Sequence, residues 1–164
     1  MIYVDTSVIV AALDPEDPRR ERAREALERH NGKVISELVL AELASVLARQ
    51  HGVMASIRSR LGVSEHIAFI AVIIYVLKRF DLKYVDVKGF SRTMLGRLYK
   101  PLAYSIELAE KLRLKTLDLL HLAYIKAMKE QGIGVHTLLT ADIDFKNREE
   151  DIAKTLKITV YLIR

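Results

Sequence analysis

The chain has 164 residues, a net charge of +5 and no cysteine. That length suits one domain closing its own core, and a disulfide framework or a thiolate metal site is excluded. The modest positive balance permits a polyanionic partner without requiring one, and the longest apolar run, Ile67 to Leu77, falls short of the roughly 20 residues a membrane helix needs.

Ile2-Tyr3-Val4 is short, apolar and rich in strand formers, and it runs into Asp5-Thr6-Ser7, three residues that cap helices. A buried strand followed by a short helix over Val8 to Leu13 is predicted, with Asp5 at the strand's C-terminal end. Asp14 to Pro18 breaks the chain. A charged helix follows from Arg19 to His30, closed by Asn31-Gly32. Lys33-Val34-Ile35 reads as a second strand, and Ser36 as the cap of a helix from Glu37 to about Gln50. Residues 53 to 63 read as a turn or broken helix, and Ser64 to Phe80 as a strongly apolar helix.

Lys83 to Val87 alternates and suggests a third strand, Ser91 to Leu114 one or two helices interrupted near Pro101. Thr116 is expected to cap a helix from Leu117 to Glu130. His136 to Thr140 is a further strand, Glu149 to Leu156 a short helix, and Lys157 to Ile163 the last strand. Short apolar strands alternating with helices argue for a parallel sheet covered on both faces. The whole of 1–164 is read as one α/β domain whose middle, roughly 53–113, is a helical insertion.

Four carboxylates stand where core is expected. Asp5 and Asp142 each follow a buried strand directly, and in open α/β sheets ligands gather beyond those strand ends. Glu42 lies inside Leu38 to Leu47, apolar nearly all round. A buried ionised carboxylate is costly unless paired, so Glu42 must meet a cation, stay protonated, or join Ser45 and Arg49 in a narrow polar stripe. Asp118 falls in the first turn of an apolar helix, where the helix dipole alone would favour it; His121, one turn on, is expected to pack as a core residue in preference to ligating. Glu37 is read as a first-turn acid of the same dipole-favoured kind. Carboxylates gathered together repel and raise one another's pKa, and all-oxygen ligation points to Mg²⁺ or Mn²⁺.

Taken together, Ile2-Tyr3-Val4-Asp5-Thr6-Ser7, Leu40-Ala41-Glu42-Leu43, Leu117-Asp118-Leu119-Leu120-His121-Leu122-Ala123 and Thr140-Ala141-Asp142-Ile143-Asp144-Phe145 resemble the PIN domain, and in particular its VapC-like toxins. The resemblance implies a three-layer α/β/α sandwich around a parallel sheet of four or five strands, and Mg²⁺- or Mn²⁺-dependent cleavage of RNA. The family's acids map onto Asp5, Glu42, Asp118 and Asp142, with Asp144 as an additional acid and Thr6, Ser7 and Thr140 in support. A toxin of this kind implies an RNA substrate, an antitoxin, a homodimer and a cytoplasmic setting without a membrane. The segment between Glu42 and Asp118 is longer than in compact VapC-like toxins. It holds the apolar helix, read as facing either the core or a partner, and a basic run in which Arg92, Arg97 and Lys100 are candidates to grip phosphates near the cleft. The alternatives are a non-catalytic RNA-binding or scaffold protein on this fold, a PIN nuclease of RNA processing, and a phosphotransferase with Asp5 as nucleophile, for which Ser7 stands where a second Asp is wanted.

Overall fold

The computed structural model describes the backbone of residues 1–164 and every side chain except those of His51, Val53 and Met54. Five parallel strands form the central sheet: β1 (Ile2–Val4), β2 (Lys33–Ile35), β3 (Leu82–Tyr84), β6 (Thr137–Thr140) and β7 (Thr159–Leu162), in the order β3-β2-β1-β6-β7. Strands buried on both faces lose the polar alternation of a half-exposed sheet. Tyr3, Val4, Ile35, Leu138 and Leu139 are accordingly at most 1 % exposed. The register sets Tyr3 opposite Val34 on one side and Leu138 on the other.

From β1 the chain moves outward in one direction through α1 (Thr6–Leu13), α2 (Arg20–Arg29), α3 (Glu37–Ala48), α4 (His51–Leu61) and α5 (Glu65–Arg79). It then returns to the other side of β1 through α6 (Lys100–Leu112) and α7 (Thr116–Glu130), and continues outward through α8 (Ile143–Asn147) and α9 (Glu149–Leu156). Right-handed crossovers put these two sets on opposite faces, which gives the three-layer sandwich. Buried apolar residues from the sheet and both layers make a single cluster. The direction of winding reverses between β1 and β6, so the crevice of the sheet opens at their C-terminal ends, where Asp5 and Asp142 stand.

The expected helical stretch from Ser91 is not helical at its start. Residues 90–99 form an antiparallel hairpin, β4 (Phe90–Thr93) and β5 (Gly96–Tyr99), and the helix begins only at Lys100, with Pro101 in its first turn. Gly89 (φ +102°) before β4 and Gly96 (φ +108°) at the start of β5 hold backbone that side chains disfavour, and Phe, Thr and Tyr within the segment are strand formers. The middle of the chain is therefore helical on either side of a hairpin. Residues 51–61 form a continuous helix where a turn or broken helix was expected, and α8 is an added short helix after β6. Neither Ser36 nor Thr116 caps through its side chain: the Ser36 hydroxyl is spent on Tyr3, and Thr116 is already the first helical residue. No single helix is long and apolar enough to cross a membrane.

Candidate metal centre

Asp5 leaves β1 in extended conformation and caps α1 (φ −75°, ψ 147°). Its Oδ2 accepts from the Ser7 hydroxyl and from the Thr140 hydroxyl, both at 2.6 Å. The same two hydroxyls stitch β6 to β1: Ser7 Oγ accepts from the Ala141 amide (3.0 Å) and Thr140 Oγ1 from the Asp142 amide (3.0 Å). Each hydroxyl thus receives a backbone N–H and gives its proton to Asp5, which fixes the carboxylate at the sheet edge. The Arg19 guanidinium, held by Asp17 at 2.8 Å, donates to the Ala141 carbonyl at 2.9 Å and clamps the turn that carries Asp142 from outside.

Glu42 does not join the polar stripe. Arg49 donates to Ser45 (2.9 Å), while Glu42 turns toward the sheet edge and accepts from the Thr6 hydroxyl (2.5 Å). His121 closes this half of the site. Its Nε2 lies 3.0 Å from Glu42 and 3.3 Å from Asp5, and its Nδ1 meets the Tyr3 hydroxyl at 2.9 Å, which in turn meets Ser36 at 2.7 Å. His121 is as buried as a core residue (2 % exposed) yet sits among the acids. Burial alone would favour neutral imidazole, but the Glu42 hydrogen bond and the charges of Asp5, Glu42 and Asp118 prevail and hold its pKa above the ordinary value. Burial likewise works against the Glu42 carboxylate, and His121 and Thr6 outweigh it, lowering its pKa.

The other half gathers Asp118, Asp142 and Asp144, with one carboxylate oxygen from each within 4.8 Å of the others; Asp5, Glu42 and His121 meet the same measure. Asp142 accepts from the Asp144 amide (2.8 Å) and caps α8. Asp144 also pairs with Lys115 at 2.7 Å, so part of its charge is already answered. Asp118 has no such answer. Burial, then the charges of Asp142 and Asp5, push its pKa up to about 6, against the weaker pull of His121 and Lys115. Its Oδ2 is buried without a hydrogen-bond partner, a condition shared among the described residues only with Arg20 Nε and Glu37 Oε2.

An unpaired buried carboxylate oxygen facing further carboxylates is costly as it stands. A hard divalent cation with oxygen ligands satisfies it, and the donors present fit such an ion. The structure thus brings Asp5, Glu42, Asp118, Asp142 and Asp144 to one end of the sheet, with Thr6, Ser7 and Thr140 hydrogen-bonded beneath them. It does not bring Lys100 there. That lysine pairs with Glu130 (3.2 Å), twelve residues along α7 from Asp118, or about 18 Å of helix. The sequence reading missed the place of His121 among the acids, and the supporting parts played by Tyr3 and Arg19. The spacing of His121 one turn after Asp118 was the available signal for the first; nothing local marks the other two.

A PIN domain family model matches residues 2–151. No curated protein sequence matches the chain. Among solved structures, VapBC2 from Rickettsia felis, bound to a DNA fragment from its promoter, aligns with a TM-score of 0.58 at 20 % identity, covering 100 % of each chain. VapC20 from Mycobacterium tuberculosis, described as a sarcin–ricin-loop cleaving toxin, aligns at 0.54 and 18 % identity over 90 % of this chain and 94 % of its own. FitAcB from Neisseria gonorrhoeae aligns at 0.53 and 17 %, over 98 % and 96 %. At these identities the likeness is one of fold.

Proposed function

The chain belongs to the PIN domain family, and on that premise we propose that it is an endoribonuclease that works with Mg²⁺ or Mn²⁺ and serves as the toxin of a toxin–antitoxin pair. The observation that carries the metal-dependent reading is the buried, unpartnered Asp118 Oδ2, in a carboxylate that groups with those of Asp142 and Asp144. Asp118, Asp142 and Asp5 are the proposed metal ligands, with Glu42 acting directly or through water and Asp144 as an additional donor. A divalent cation bound there would supply positive charge to a phosphodiester and to the water that attacks it.

The remaining work belongs to the chain. Ser7 and Thr140 hold the Asp5 carboxylate in place by donating to its Oδ2. Glu42, steadied by Thr6 and His121, is placed to take a proton from the attacking water. His121, fixed by Tyr3, sets its Nε2 between Asp5 and Glu42 and keeps the two carboxylates in position. RNA as the substrate is supported by family membership and by the described activity of the Mycobacterium neighbour; an antitoxin partner is supported by the kinship in fold with VapBC2. A homodimer and a cytoplasmic setting complete the reading.

Titrating Mn²⁺ into the protein while following its melting, alongside an RNA cleavage assay, tests this. The expected result is a rise in Tm with Mn²⁺ and cleavage that depends on the ion and is lost in Asp5→Asn. Cleavage that survives in Asp5→Asn rejects the assignment; a Tm rise without cleavage in the wild type favours a non-catalytic RNA-binding protein.

A further inference from the structure

The hairpin is the element the proposed chemistry leaves unused. Its register sets Phe90 opposite Tyr99 and Arg92 opposite Arg97. Directly opposed residues share a face, as do residues two apart on one strand. Phe90, Arg92, Arg97 and Tyr99 therefore line a single face. Like charges in directly opposed positions destabilise a strand pair, and neither arginine has an acidic partner among the described residues. Asp86 is engaged with Lys88 (3.3 Å), Glu107 with Lys126 (2.5 Å) and Glu130 with Lys100 (3.2 Å), and Glu37 accepts from Tyr99 at the base of the hairpin. Phe90 is more than half exposed, and the Arg97 guanidinium lies 4.5 Å from its ring centre.

The arm is not loosely hung. Thr93 Oγ1 donates to the Gly96 carbonyl (3.0 Å) and accepts from the Leu95 amide (3.1 Å), pinning the tip. At the base, the Tyr99 hydroxyl donates to the Val87 carbonyl (2.7 Å) and lies 3.2 Å from Glu37 of α3, which shares that proton, while the ring packs edge-on against Tyr124 of α7. Those are the two helices that carry Glu42, and Asp118 and His121. Tyr124 stands six residues from Asp118, about 9 Å along the helix axis. The arm thus holds a fixed offset from the acids.

We propose that this face is a binding arm for single-stranded RNA, with Arg92 and Arg97 on backbone phosphates and Phe90 as a stacking surface for a base. Two uncompensated arginines beside an exposed aromatic ring are the elements that sequence-tolerant single-strand binding requires, and phosphates between the arginines remove the repulsion that the bare hairpin carries. The choice of RNA as the strand rests on the nuclease reading; the charge and the ring stand without it.

Fluorescence anisotropy of the full chain with a labelled oligouridylate of about twelve nucleotides, in buffer without divalent ions, tests the arm apart from cleavage. Arg92→Gln/Arg97→Gln should weaken binding tenfold or more and reduce the slope of log affinity against log salt by about 1.4, two phosphate contacts' worth. Arg92→Lys/Arg97→Lys should keep that slope. Phe90→Ala should weaken binding roughly five- to a hundredfold with the slope intact. Unchanged affinity and slope in the glutamine variant overturn the proposal. So does a loss confined to phosphatidylglycerol vesicles, which would assign the face to an anionic membrane. Wild-type cleavage in Mn²⁺ is measured separately: its absence removes the nuclease reading but not the arm, and its presence with variants that bind normally removes the arm alone.

Discussion

At the open edge of the sheet, Asp5, Ser7, Thr140, Glu42, Thr6 and His121 answer one another at 2.5–3.5 Å. On the hairpin, Arg92 and Arg97 face each other with no acid between them, and Met94 and Leu95 stand exposed at the tip. The first region is over-determined. Asp5, Glu42 and Asp144 are held by groups from distant parts of the chain and Asp142 by the Asp144 amide, while Asp118 carries the unmet demand. The second region has almost nothing of its own fold to satisfy beyond the anchor at Tyr99. Where polar groups are buried they must be paired or they destabilise the fold; where they are exposed, an unmatched charge costs little and remains available to a partner.

The sharpest way to break this contrast is at Asp118. Asp118→Asn should reduce metal-dependent RNA cleavage by at least about a hundredfold, the scale of removing one preorganised charge-stabilising group. It should also raise the melting temperature of the metal-free protein, because a repelled buried charge is gone. A variant that melts lower without metal would show that the carboxylate is not frustrated. Beneath the site, Tyr3→Phe should cost about 1–3 kcal/mol by leaving Ser36 and the His121 Nδ1 without their bridge. That is a few degrees of Tm for a chain of this length, read by calorimetry.

Acidity offers a finer probe. Asp118 binds its proton more tightly in the folded chain than in the unfolded one, with its pKa near 6. Its contribution to folding is therefore complete below the ordinary carboxylate value and fades as pH rises through about 6. His121, also raised, continues the trend above its ordinary value. Metal-free Tm should fall across that range, and Mn²⁺ should reverse the fall most at the upper end, where Asp118 has lost its proton. A flat metal-free profile contradicts the coupling. The smallest effect belongs to the hairpin tip: Met94→Ser/Leu95→Ser should change stability in urea by no more than about 0.5 kcal/mol, as surface positions do.

Much of the sheet edge was legible in the sequence. An acid straight after a three- or four-residue apolar run is a local signal, and Asp5 and Asp142 both give it. Glu42 stood out because its neighbours are apolar, but its partners did not, since Thr6 lies 36 residues away. His121 reads as core by composition, and it is core by burial; only its two contacts make it part of the acid group. The hairpin was hidden by the opposite effect. Arg92, Met94, Leu95, Arg97 and Leu98 are good helix formers, and two glycines with a tethered tyrosine override them.

The chain's local order determined the alternation of strands and helices, the winding into a parallel sheet and the acids beyond its strands, because periodicity and strand ends are written in consecutive residues. Only the folded chain decided that Asp144 meets Lys115 while the Asp118 Oδ2 is left without a hydrogen-bond partner, that Tyr3 steadies His121 across 118 positions, and that two arginines are set face to face. Each of these turns on which distant groups share a few ångströms of buried or exposed space, and pairing at that range is a property of packing, not of spacing along the backbone.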